Sequence, residues 1–431
     1  MSLFYTRPSR DKSTAMRVAF FSPTAPHHSY PNGIASYIEY LRPALAALGV
    51  ESIVVAGIVA DGFASADVAD VRTHMERSFF ERVSDRLRGD HRGVGKIRAG
   101  RSIVRAIESL SRTGPVDFVE IEESFGMSRH VDELGGWPTV VRLHGPWFLN
   151  GPALGVPRDA DFALRVLHEG PALEAAQHIS SPSQDVLDRT RKHYGLALEH
   201  AVVIPNACPS VPIERRWRPD RADPDRVLFV GRFDAIKGGD LMIDAFAEVL
   251  AIRPEARLWF AGPDNGVPDA VGGKISVMQY LERAITDDAM RARVEILGPC
   301  DSRQIEEMRT KAAVTVVASR RENFPMTVLE AVAYGSPLVA SDVGGIGEIV
   351  RHEQTGYLVP GGSATSLAQG ILRLLGGPAL AQRIAEHAGR DAEARFSAKV
   401  VAEATRDFYL SVLATPLLIR NLPQQAHPVS Q

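Results

Sequence analysis

Short apolar runs alternate with longer amphipathic stretches along this chain. One apolar run covers residues 16–22 and ends at Ser-Pro, and another covers residues 51–57. Between them, residues 33–48 carry apolar side chains at the three- and four-residue spacing of a helix that buries one face. Pro43 lies inside this stretch and predicts a kink, because proline removes a backbone donor. The pattern predicts strand, helix, strand, which is the unit of a parallel sheet.

The same alternation continues and falls into two sets. Further strands are predicted at residues 116–121, 138–144, 178–181 and 202–205 in the first set, and at residues 226–231, 257–262, 294–298, 313–318 and 337–341 in the second. Helices of the second set are predicted at residues 239–250, 302–311 and 328–334. A polar, proline-containing stretch at 208–225 separates the sets and is typical of a linker.

We therefore predict an α/β protein with two doubly wound, Rossmann-like domains, at residues 16–210 and 226–390. A terminal helix at 391–413 and a tail at 414–431 follow. Ligands of such sheets bind at the carboxyl ends of the strands, so the site is expected in the cleft between the domains.

Composition narrows the class of protein. The chain has 431 residues, which suits two domains, and its net charge of −3 argues against a general nucleic-acid binder. Two cysteines form neither a disulfide framework nor a four-ligand zinc site. The first 15 residues lack the apolar segment of a signal peptide, and no apolar run approaches a membrane span. We expect a cytoplasmic protein, with peripheral contact to the inner membrane face left open.

Residues 72–105 form a basic segment that could make this peripheral membrane contact. It is predicted to be helical and holds ten Arg or Lys residues against four Asp or Glu. Either an anionic acceptor or an acidic membrane surface could face it. Because acidic residues are interspersed, a solvated helical face is the favoured interpretation.

A cationic loop follows the first strand of the second set. Residues 230–238 read Val-Gly-Arg-Phe-Asp-Ala-Ile-Lys-Gly and precede a helix. Arg232 and Lys237 would emerge at the carboxyl edge of the sheet, where two cations suit a diphosphate. Gly231 and Gly238 would allow close backbone approach. The alternative is a surface loop whose cations are merely solvated.

Two glutamates bracket a predicted helix start. Glu322 lies in the loop before the helix, which should begin near Pro325, and Glu330 lies one to two turns inside it. Gly335 stands where a helix C-terminus favours glycine. The first-turn amides form an anion site, and they belong to Met326, Thr327 and Val328. One ligand could therefore place a sugar near Glu322, a phosphate at the helix start and a ribose near Glu330.

Other candidates carry less information alone. Gly344 and Gly345 predict a tight turn at the same cleft edge, with a simple turn equally compatible. His144 ends a first-domain strand and could bond a sugar hydroxyl or be a packed core histidine. The Asp-x-Asp pairs at 159–161 and 223–225 are interpreted as chance, so no metal site is predicted.

Together these motifs resemble the family-4 retaining glycosyltransferases, which have the two-domain GT-B fold. The resemblance covers residues 16–412 and is strongest over 228–358. It implies a last helix that crosses back to the first domain, and it implies a nucleoside-diphosphate sugar as donor substrate with no separate cofactor. The motifs occur in the family's order, which is more specific than any one of them.

The resemblance also implies roles for individual residues. Arg232 and Lys237 match the cations on the donor diphosphate, Glu330 the ribose ligand, and Glu322 the residue that positions the donor sugar. Gly33 matches the glycine of the first-domain loop, and His144 the histidine near the sugar's reacting face. The remaining donor-site residues are Gly298 and Pro299 near the nucleobase, and Asn323, Phe324, Pro325, Met326, Thr327 and Val328 around the helix start.

The chain departs from the common pattern of the family in three places. The usual Glu-Gly-Phe-Gly is here Glu322-Asn-Phe-Pro325, so one backbone N–H is missing and a side-chain amide is added. A Pro-Asn-Gly segment at the hinge becomes Pro-Asn206-Ala207, which puts any left-handed turn in doubt. The first loop has Gly33 where the family often has two glycines.

The expected activity is transfer of a hexosyl-type sugar from a UDP- or GDP-sugar to a hydroxyl acceptor, in bacterial glycan, glycolipid or glycoconjugate synthesis. The acceptor would be a glycan, a lipid-linked molecule or a small molecule. The main alternative is a nucleotide-sugar 2-epimerase on the same architecture, which would need carboxylates at the reacting carbon. A glycosidase would use Glu322 and Glu330 as acid and nucleophile but leaves the cations unexplained. A non-catalytic sugar-nucleotide binder would not need the full set.

Overall fold

The computed structural model describes residues 15–25, 33–63, 65–75, 91–153, 155–269 and 272–415, with the side chains of 91–97 and 153 excepted. The predicted tail at 414–431 therefore lies almost wholly outside the described residues, as does part of the basic segment at 72–105. Within the described ranges, no helix combines the length and apolar character needed to cross a membrane.

The first domain is built on a parallel sheet of seven described strands. They are β1 Met16–Thr24, β2 Val50–Ile58, β3 Val68–Asp70, β4 Phe118–Glu122, β5 Thr139–Arg142, β6 His178–Ser181 and β7 Val202–Val203. Their order is β3-β2-β1-β4-β5-β6-β7, so the sheet grows outward in both directions from β1 and β4. The helices are α1 Gly33–Ala47, α2 His91–Leu110, α3 Met127–Gly135, α4 Trp147–Ala153, α5 Ala160–Ala175 and α6 Gln184–Tyr194.

The second domain repeats the plan with six parallel strands in the order β12-β9-β8-β13-β14-β15. The strands are β8 Asp223–Val230, β9 Arg257–Ala261, β12 Val294–Gly298, β13 Ala312–Val317, β14 Leu338–Asp342 and β15 Tyr357–Pro360. A small antiparallel pair, β10 Val267–Pro268 and β11 Lys274–Ile275, is separate. The helices are α7 Gly239–Ile252, α8 Val277–Ala284, α9 Asp288–Arg291, α10 Ser302–Lys311, α11 Met326–Ala333, α12 Ile346–Ile349 and α13 Ala364–Leu375.

Most predicted elements are confirmed, because buried strands and one-sided helices leave clear periodicities. The predicted bounds of 294–298 and 302–311 coincide with those of β12 and α10. Helix α1 runs through Pro43 as one continuous element. Apolar side chains cover both faces of each sheet: on the first, Phe20 and Phe118 pack toward α1, while Val55 and Val119 pack toward α2.

The last described residues form two helices, so the predicted single helix at 391–413 is wrong. Helix α14 covers Pro378–Phe396, and α15 covers Ala398–Ala414. Ser397 breaks them with an extended conformation, φ −57° and ψ 146°. The Phe396 carbonyl accepts a 2.8 Å hydrogen bond from the Cys208 amide of the linker. This carbonyl is therefore not used for a helical hydrogen bond across the break. This bond fixes the linker against the junction of the two helices, where Cys208 and Phe396 share one apolar core.

Helix α15 crosses back to the first domain, as the resemblance implies. Val401 and Val412 join the core between α1 and the sheet. Inside that core, the Tyr37 and Tyr409 hydroxyls donate to the two oxygens of Glu120, at 2.9 and 2.8 Å. The buried carboxyl of Glu120 thus links α1, β4 and α15. In this way the last helix of the chain is fixed to the core of the first domain.

Candidate functional site

The carboxyl ends of both sheets carry the residues that the sequence singled out. In the second domain, the loop after β8 holds Arg232 and Lys237, and the loop after β13 holds Glu322. In the first domain, His144 lies two residues beyond β5. Parallel strands bring these loops to one edge of each sheet, which is where doubly wound proteins bind ligands.

Lys237 and Glu322 form an ion pair. The Lys237 Nζ atom lies 2.6 Å from Glu322 Oε1, and the Ser319 hydroxyl donates to the same oxygen at 2.6 Å. The Glu322 side chain is 7% exposed, while that of Lys237 keeps 25% of its surface. The predicted diphosphate cation and the predicted sugar carboxylate are therefore direct neighbours across 85 residues of sequence.

Arg232 belongs to a loop organised by Asp234. Its Nε atom lies 2.6 Å from Asp234 Oδ2, while Asp234 Oδ1 accepts the backbone amides of Ile236 and Lys237 at 3.0 and 2.7 Å. Gly238 then adopts φ +68° before α7, and a methyl group there would overlap the Ala318 carbonyl. The loop holds both cations on a short, tightly turned backbone.

The predicted helix start is confirmed. Helix α11 begins at Met326, with Pro325 as its N-cap at φ −74° and ψ 127°. The prediction of a free Val328 amide is wrong, because this amide donates to the Pro325 carbonyl at 3.2 Å. Met326 and Thr327 remain at the first-turn positions that have no partner within a helix. Gly335 adopts φ +62° just past the helix, as glycine does at this position.

Glu330 is held by a buried arginine that the sequence did not reveal. Arg309 of α10 is 1% exposed, and its Nη2 lies 2.9 Å from Glu330 Oε2. Tyr40 of α1 approaches the other oxygen, Oε1, at 3.4 Å. Burial, followed by the charge of Glu330, raises the pKa of the Tyr40 phenol well above its ordinary value, so the hydroxyl stays a donor. Arg309 and Tyr40 together orient the Glu330 carboxylate, and Tyr40 connects it to the first domain.

His144 lies against the buried base of the first-domain edge. Its amide donates to Glu123 Oε2 at 2.9 Å, and its ring meets the Tyr37 ring edge-on with centroids 5.3 Å apart. Burial, and after it the charge of Arg142, holds the pKa of the His144 imidazole well below its ordinary value. The ring is therefore neutral at physiological pH, and it can accept or donate a hydrogen bond without carrying charge.

Two buried carboxyl groups behind His144, those of Glu122 and Glu123, have raised pKa values. Burial raises the pKa of Glu122 to about 7. Burial, followed by repulsion from Glu122, raises the pKa of Glu123 well above its ordinary value. Buried acids that lie close to one another keep protons, because two charges there would repel in a poorly solvated environment.

The remaining predicted residues occupy supporting positions. Gly33 is the exposed first residue of α1, and the loop before it, 26–32, lies outside the described residues. Gly298 adopts φ +67°, and its carbonyl accepts the Gly262 amide at 2.8 Å, while Pro299 follows it at the edge of the sheet. Phe324 is buried and meets Phe396 of α14 edge-on at 6.0 Å.

The hinge departs from the family pattern without strain. Asn206 is buried, and its Oδ1 accepts from Arg142 Nη2 at 2.8 Å. Ala207 is fully buried and does not adopt a positive φ. A left-handed turn is therefore absent at this position, and alanine fits it.

Contacts between the domains gather at the loop that contains Glu322. The side-chain amide of Asn323 donates to the His144 carbonyl and to Asn150 Oδ1, both at 2.9 Å. The carboxylate of Glu348 accepts the Gln184 and Asp185 amides at the start of α6, each at 2.8 Å. The cleft is therefore bridged beside the Lys237–Glu322 pair. Sequence reasoning missed Asn150, Gln184 and Asp185 because they match no motif.

Comparison with known proteins agrees with this geometry. Residues 212–391 match the family model described as Glycosyl transferases group 1, and residues 31–209 match Glycosyltransferase Family 4. Together the two models account for nearly all of the chain from 31 to 391. The chain belongs to glycosyltransferase family 4. The resemblance drawn from the motifs is confirmed, and this member of the family is a glycosyltransferase.

Curated relatives in the family are moderately similar. A D-inositol 3-phosphate glycosyltransferase of Streptomyces bingchenggensis is 29% identical over 318 residues, which is 70% of this chain and 68% of the relative. A protein of the same name from Streptomyces avermitilis is 26% identical and covers 92% of this chain and 88% of the relative. An alpha-D-kanosaminyltransferase of Streptomyces kanamyceticus is 30% identical over 46% of this chain and 49% of the relative.

Solved structures confirm the GT-B fold. Sucrose-phosphate synthase from Thermosynechococcus elongatus has a TM-score of 0.71 at 20% identity, with 93% of this chain and 99% of that chain covered. Anabaena HepE, solved in complex with UDP-glucose, has a TM-score of 0.64 at 19% identity, with 92% and 100% covered. At these identities the likeness concerns the fold.

Proposed function

We propose that this glycosyltransferase transfers a hexosyl-type sugar from a UDP- or GDP-sugar to a hydroxyl acceptor with retention of anomeric configuration. The observation that carries the proposal is the Lys237–Glu322 pair at 2.6 Å beside the start of α11. It puts a cation for the diphosphate and a carboxylate for the sugar hydroxyls next to amides that favour an anion. The solved complex of HepE with UDP-glucose, which has the same fold, supports the choice of donor class.

The donor would lie along α11. Its ribose hydroxyls would donate to Glu330, whose orientation is set by Arg309 at 2.9 Å. Its diphosphate would face Arg232, Lys237 and the first-turn amides, and its sugar would reach Glu322. Tyr40 would have to yield the Glu330 oxygen that it approaches at 3.4 Å, a contact weak enough to exchange.

Transfer would proceed through loss of the diphosphate. As the bond between the anomeric carbon and the diphosphate oxygen breaks, negative charge grows on the leaving group and is stabilised by Arg232, Lys237 and the helix start. The acceptor oxygen then forms the new bond on the same face, and its proton passes to the departing phosphate. The products are the glycoside and the nucleoside diphosphate. His144, neutral because of its lowered pKa, would accept or donate a hydrogen bond at the sugar without adding charge.

The acceptor class is inferred from the names of relatives. Several relatives are named for transfer to D-inositol 3-phosphate. A polyol or sugar phosphate is therefore the first acceptor to test, ahead of glycan and lipid-linked hydroxyls.

The test has two steps. Thermal unfolding is first followed with UDP-glucose, GDP-mannose, UDP and GDP, and at least one of them should raise the midpoint. The stabilising sugar nucleotide is then incubated with D-inositol 3-phosphate and a panel of sugar acceptors, while release of nucleoside diphosphate and the anomeric proton coupling of the product are measured. An α-linked product from an α-linked donor is expected.

Three outcomes would contradict the proposal. Inversion at the anomeric carbon would overturn retention, and absence of stabilisation by every nucleotide would overturn the donor class. A 2-epimer of the donor formed without acceptor would support the epimerase alternative instead.

A further inference from the structure

Asn323 stands in the donor loop where the common family pattern has glycine, and its side chain points away from the second domain. Its Nδ2 atom donates to two acceptors in the first domain, the His144 carbonyl and Asn150 Oδ1, each at 2.9 Å. An amide nitrogen has two hydrogens, so both are used. This nitrogen has no further hydrogen to offer a substrate hydroxyl.

The orientation of the two amides is determined by their partners. A carbonyl such as that of His144 can only accept, so the Asn323 amide must face it with nitrogen. The Nδ2 atom of Asn150 donates in turn to the Gly145 carbonyl, which leaves Asn150 Oδ1 for Asn323. If the Asn323 amide were flipped, its oxygen would face the His144 carbonyl oxygen, and if the Asn150 amide were flipped, its oxygen would face the Gly145 carbonyl oxygen. The contact is therefore a self-consistent network and not a chance approach.

Glycines on both sides make room for this contact. Gly145 adopts φ +125°, and a methyl group there would overlap Asn323 Nδ2 and lie 2.8 Å from both amide atoms of Asn150. On the other side, Gly345 donates its amide to the Asn323 carbonyl at 3.1 Å, and a methyl group there would overlap that oxygen. The loop is enclosed between a first-domain turn and a second-domain turn, each of which needs glycine.

The contact connects the two halves of the site. Asn323 is covalently joined to Glu322, whose carboxylate is held by Lys237 and Ser319. Its hydrogen bond goes to the backbone of His144, whose amide is held by Glu123. Each end of the network is thus rigid, and Asn323 sets the distance between them.

From this arrangement we infer that Asn323 is a positioning residue. It docks the sugar-end loop onto the β5–α4 turn before any donor binds, and so fixes His144 relative to the Lys237–Glu322 pair. A glycine at 323 has no side chain to make the contact. The docking itself is independent of the reaction, whereas its consequence for catalysis rests on the proposed function.

Glu348 offers a matched comparison, because it also bridges the domains without touching His144. Its carboxylate accepts two first-turn amides of α6 at 2.8 Å, where the helix dipole favours negative charge. Removing either residue should weaken domain contact, but Asn323 variants alone should release the His144 turn.

The docking arm of the experiment uses the full-length protein without ligand. Hydrogen exchange of backbone amides is measured for Asn323→Gly, Asn323→Asp and Glu348→Ala. Exchange over residues 143–150 should accelerate in both Asn323 variants and stay near wild type in Glu348→Ala, whose exchange should rise over 184–187. Aspartate has the same shape but sets oxygen against two acceptors, so it separates lost hydrogen bonds from lost volume. Unaltered exchange over 143–150 in both Asn323 variants would overturn the docking.

The kinetic arm separates positioning from substrate contact. A misplaced reacting group lowers kcat, and we expect a loss of about tenfold in kcat in both Asn323 variants with the donor KM within about twofold of wild type. A donor KM that rises while kcat holds, or a changed choice among donor sugars, would show that Asn323 contacts the donor and would overturn the inference. If wild type shows no transfer, the proposed function fails while the exchange result still decides the docking.

Discussion

The two edges of the cleft treat carboxylates in opposite ways. On the second-domain edge, Glu322 and Glu330 each face a cation, at 2.6 and 2.9 Å. On the first-domain edge, Glu122 and Glu123 are buried close to each other, and burial raises the pKa of both. The second-domain carboxylates therefore lie beside cations at the proposed donor site. The raised pKa values of the first-domain carboxyl groups favour their protonated forms inside the protein. Position in a parallel sheet therefore does not assign a role until the neighbours of each acid are known.

The largest effect is expected from the cation of the second-domain edge. Lys237→Ala should lower kcat about 10²- to 10³-fold, because charge on the leaving diphosphate loses a fixed partner. Its thermal midpoint should fall but the protein should stay folded, since the 7%-exposed Glu322 loses its cation and keeps only the Ser319 hydroxyl as partner. Steady-state release of nucleoside diphosphate measures the change.

Lys311→Ala is a suitable control, because this lysine forms an exposed pair with Glu307 one helical turn away. It should leave both rate and midpoint unchanged. Near-normal transfer by a folded Lys237→Ala protein would remove the diphosphate role and erase the contrast between the two edges.

Glu330→Ala should affect both binding and stability. The substitution leaves Arg309, whose side chain is 1% exposed, without its carboxylate partner. Breaking a buried pair from one side typically lowers the free energy of unfolding by about 3–5 kcal/mol. Because Glu330 is partly exposed, we expect a loss of about 2–4 kcal/mol here. Loss of a charged acceptor for the ribose should weaken nucleoside diphosphate binding about tenfold or more. Urea denaturation and calorimetric titration measure the two effects.

The double variant Arg309→Met with Glu330→Ala sharpens this prediction. It removes the buried cation as well, so stability should recover while nucleotide affinity stays low. If affinity recovers together with stability, Glu330 acts through the fold and not on the ribose.

The smallest effect is expected from the first-domain edge and depends on pH. The pKa of Glu122 is raised to about 7 in the folded protein, from an ordinary value near 4.5. The folded state therefore holds a proton that the unfolded chain has lost between these values, and stability falls as pH rises through this window. Relative to Glu122→Gln, wild type should lose on the order of 1 kcal/mol per pH unit between about pH 4.5 and 7, and nothing further above it.

Denaturation curves of the two proteins at pH 5, 6, 7 and 8 test the slope. A difference that stays constant with pH, or that grows in favour of wild type, would place an ionised Glu122 in the folded state. The two edges of the cleft would then use their carboxylates alike.

Much of the fold could be predicted because local patterns carry it. Strand β12 and helix α10 coincide with the predicted bounds, since an apolar run and a one-sided stripe both leave a period in the chain. The short strands β3 and β15 were not predicted, because each fully buries only one residue, whereas the equally short β6, predicted at 178–181, buries all four. The terminal helix was misjudged at Ser397, where a hydrogen bond from Cys208, 188 positions earlier, decides the break.

The candidate site divides in the same way. Arg232, Lys237, Glu322 and Glu330 could be chosen from sequence because each follows a predicted strand or helix start at a recognisable spacing. Arg309 could not, because nothing local distinguishes a buried arginine of α10 from its exposed neighbours. The direction of the Asn323 side chain could not either, since the partners lie more than 170 residues away.

Sequence by itself determined that the chain forms two parallel α/β units, that a cation loop and a glutamate-bracketed helix lie at one edge of the second unit, and that the chain resembles family 4. These follow from hydrophobic period and turn chemistry, which act over a few residues. Tertiary structure alone decided which carboxylates lie beside cations, which have raised pKa values, and which side chain joins the domains. Charge and hydrogen bonding depend on burial and on distant partners, and both exist only after the chain has folded.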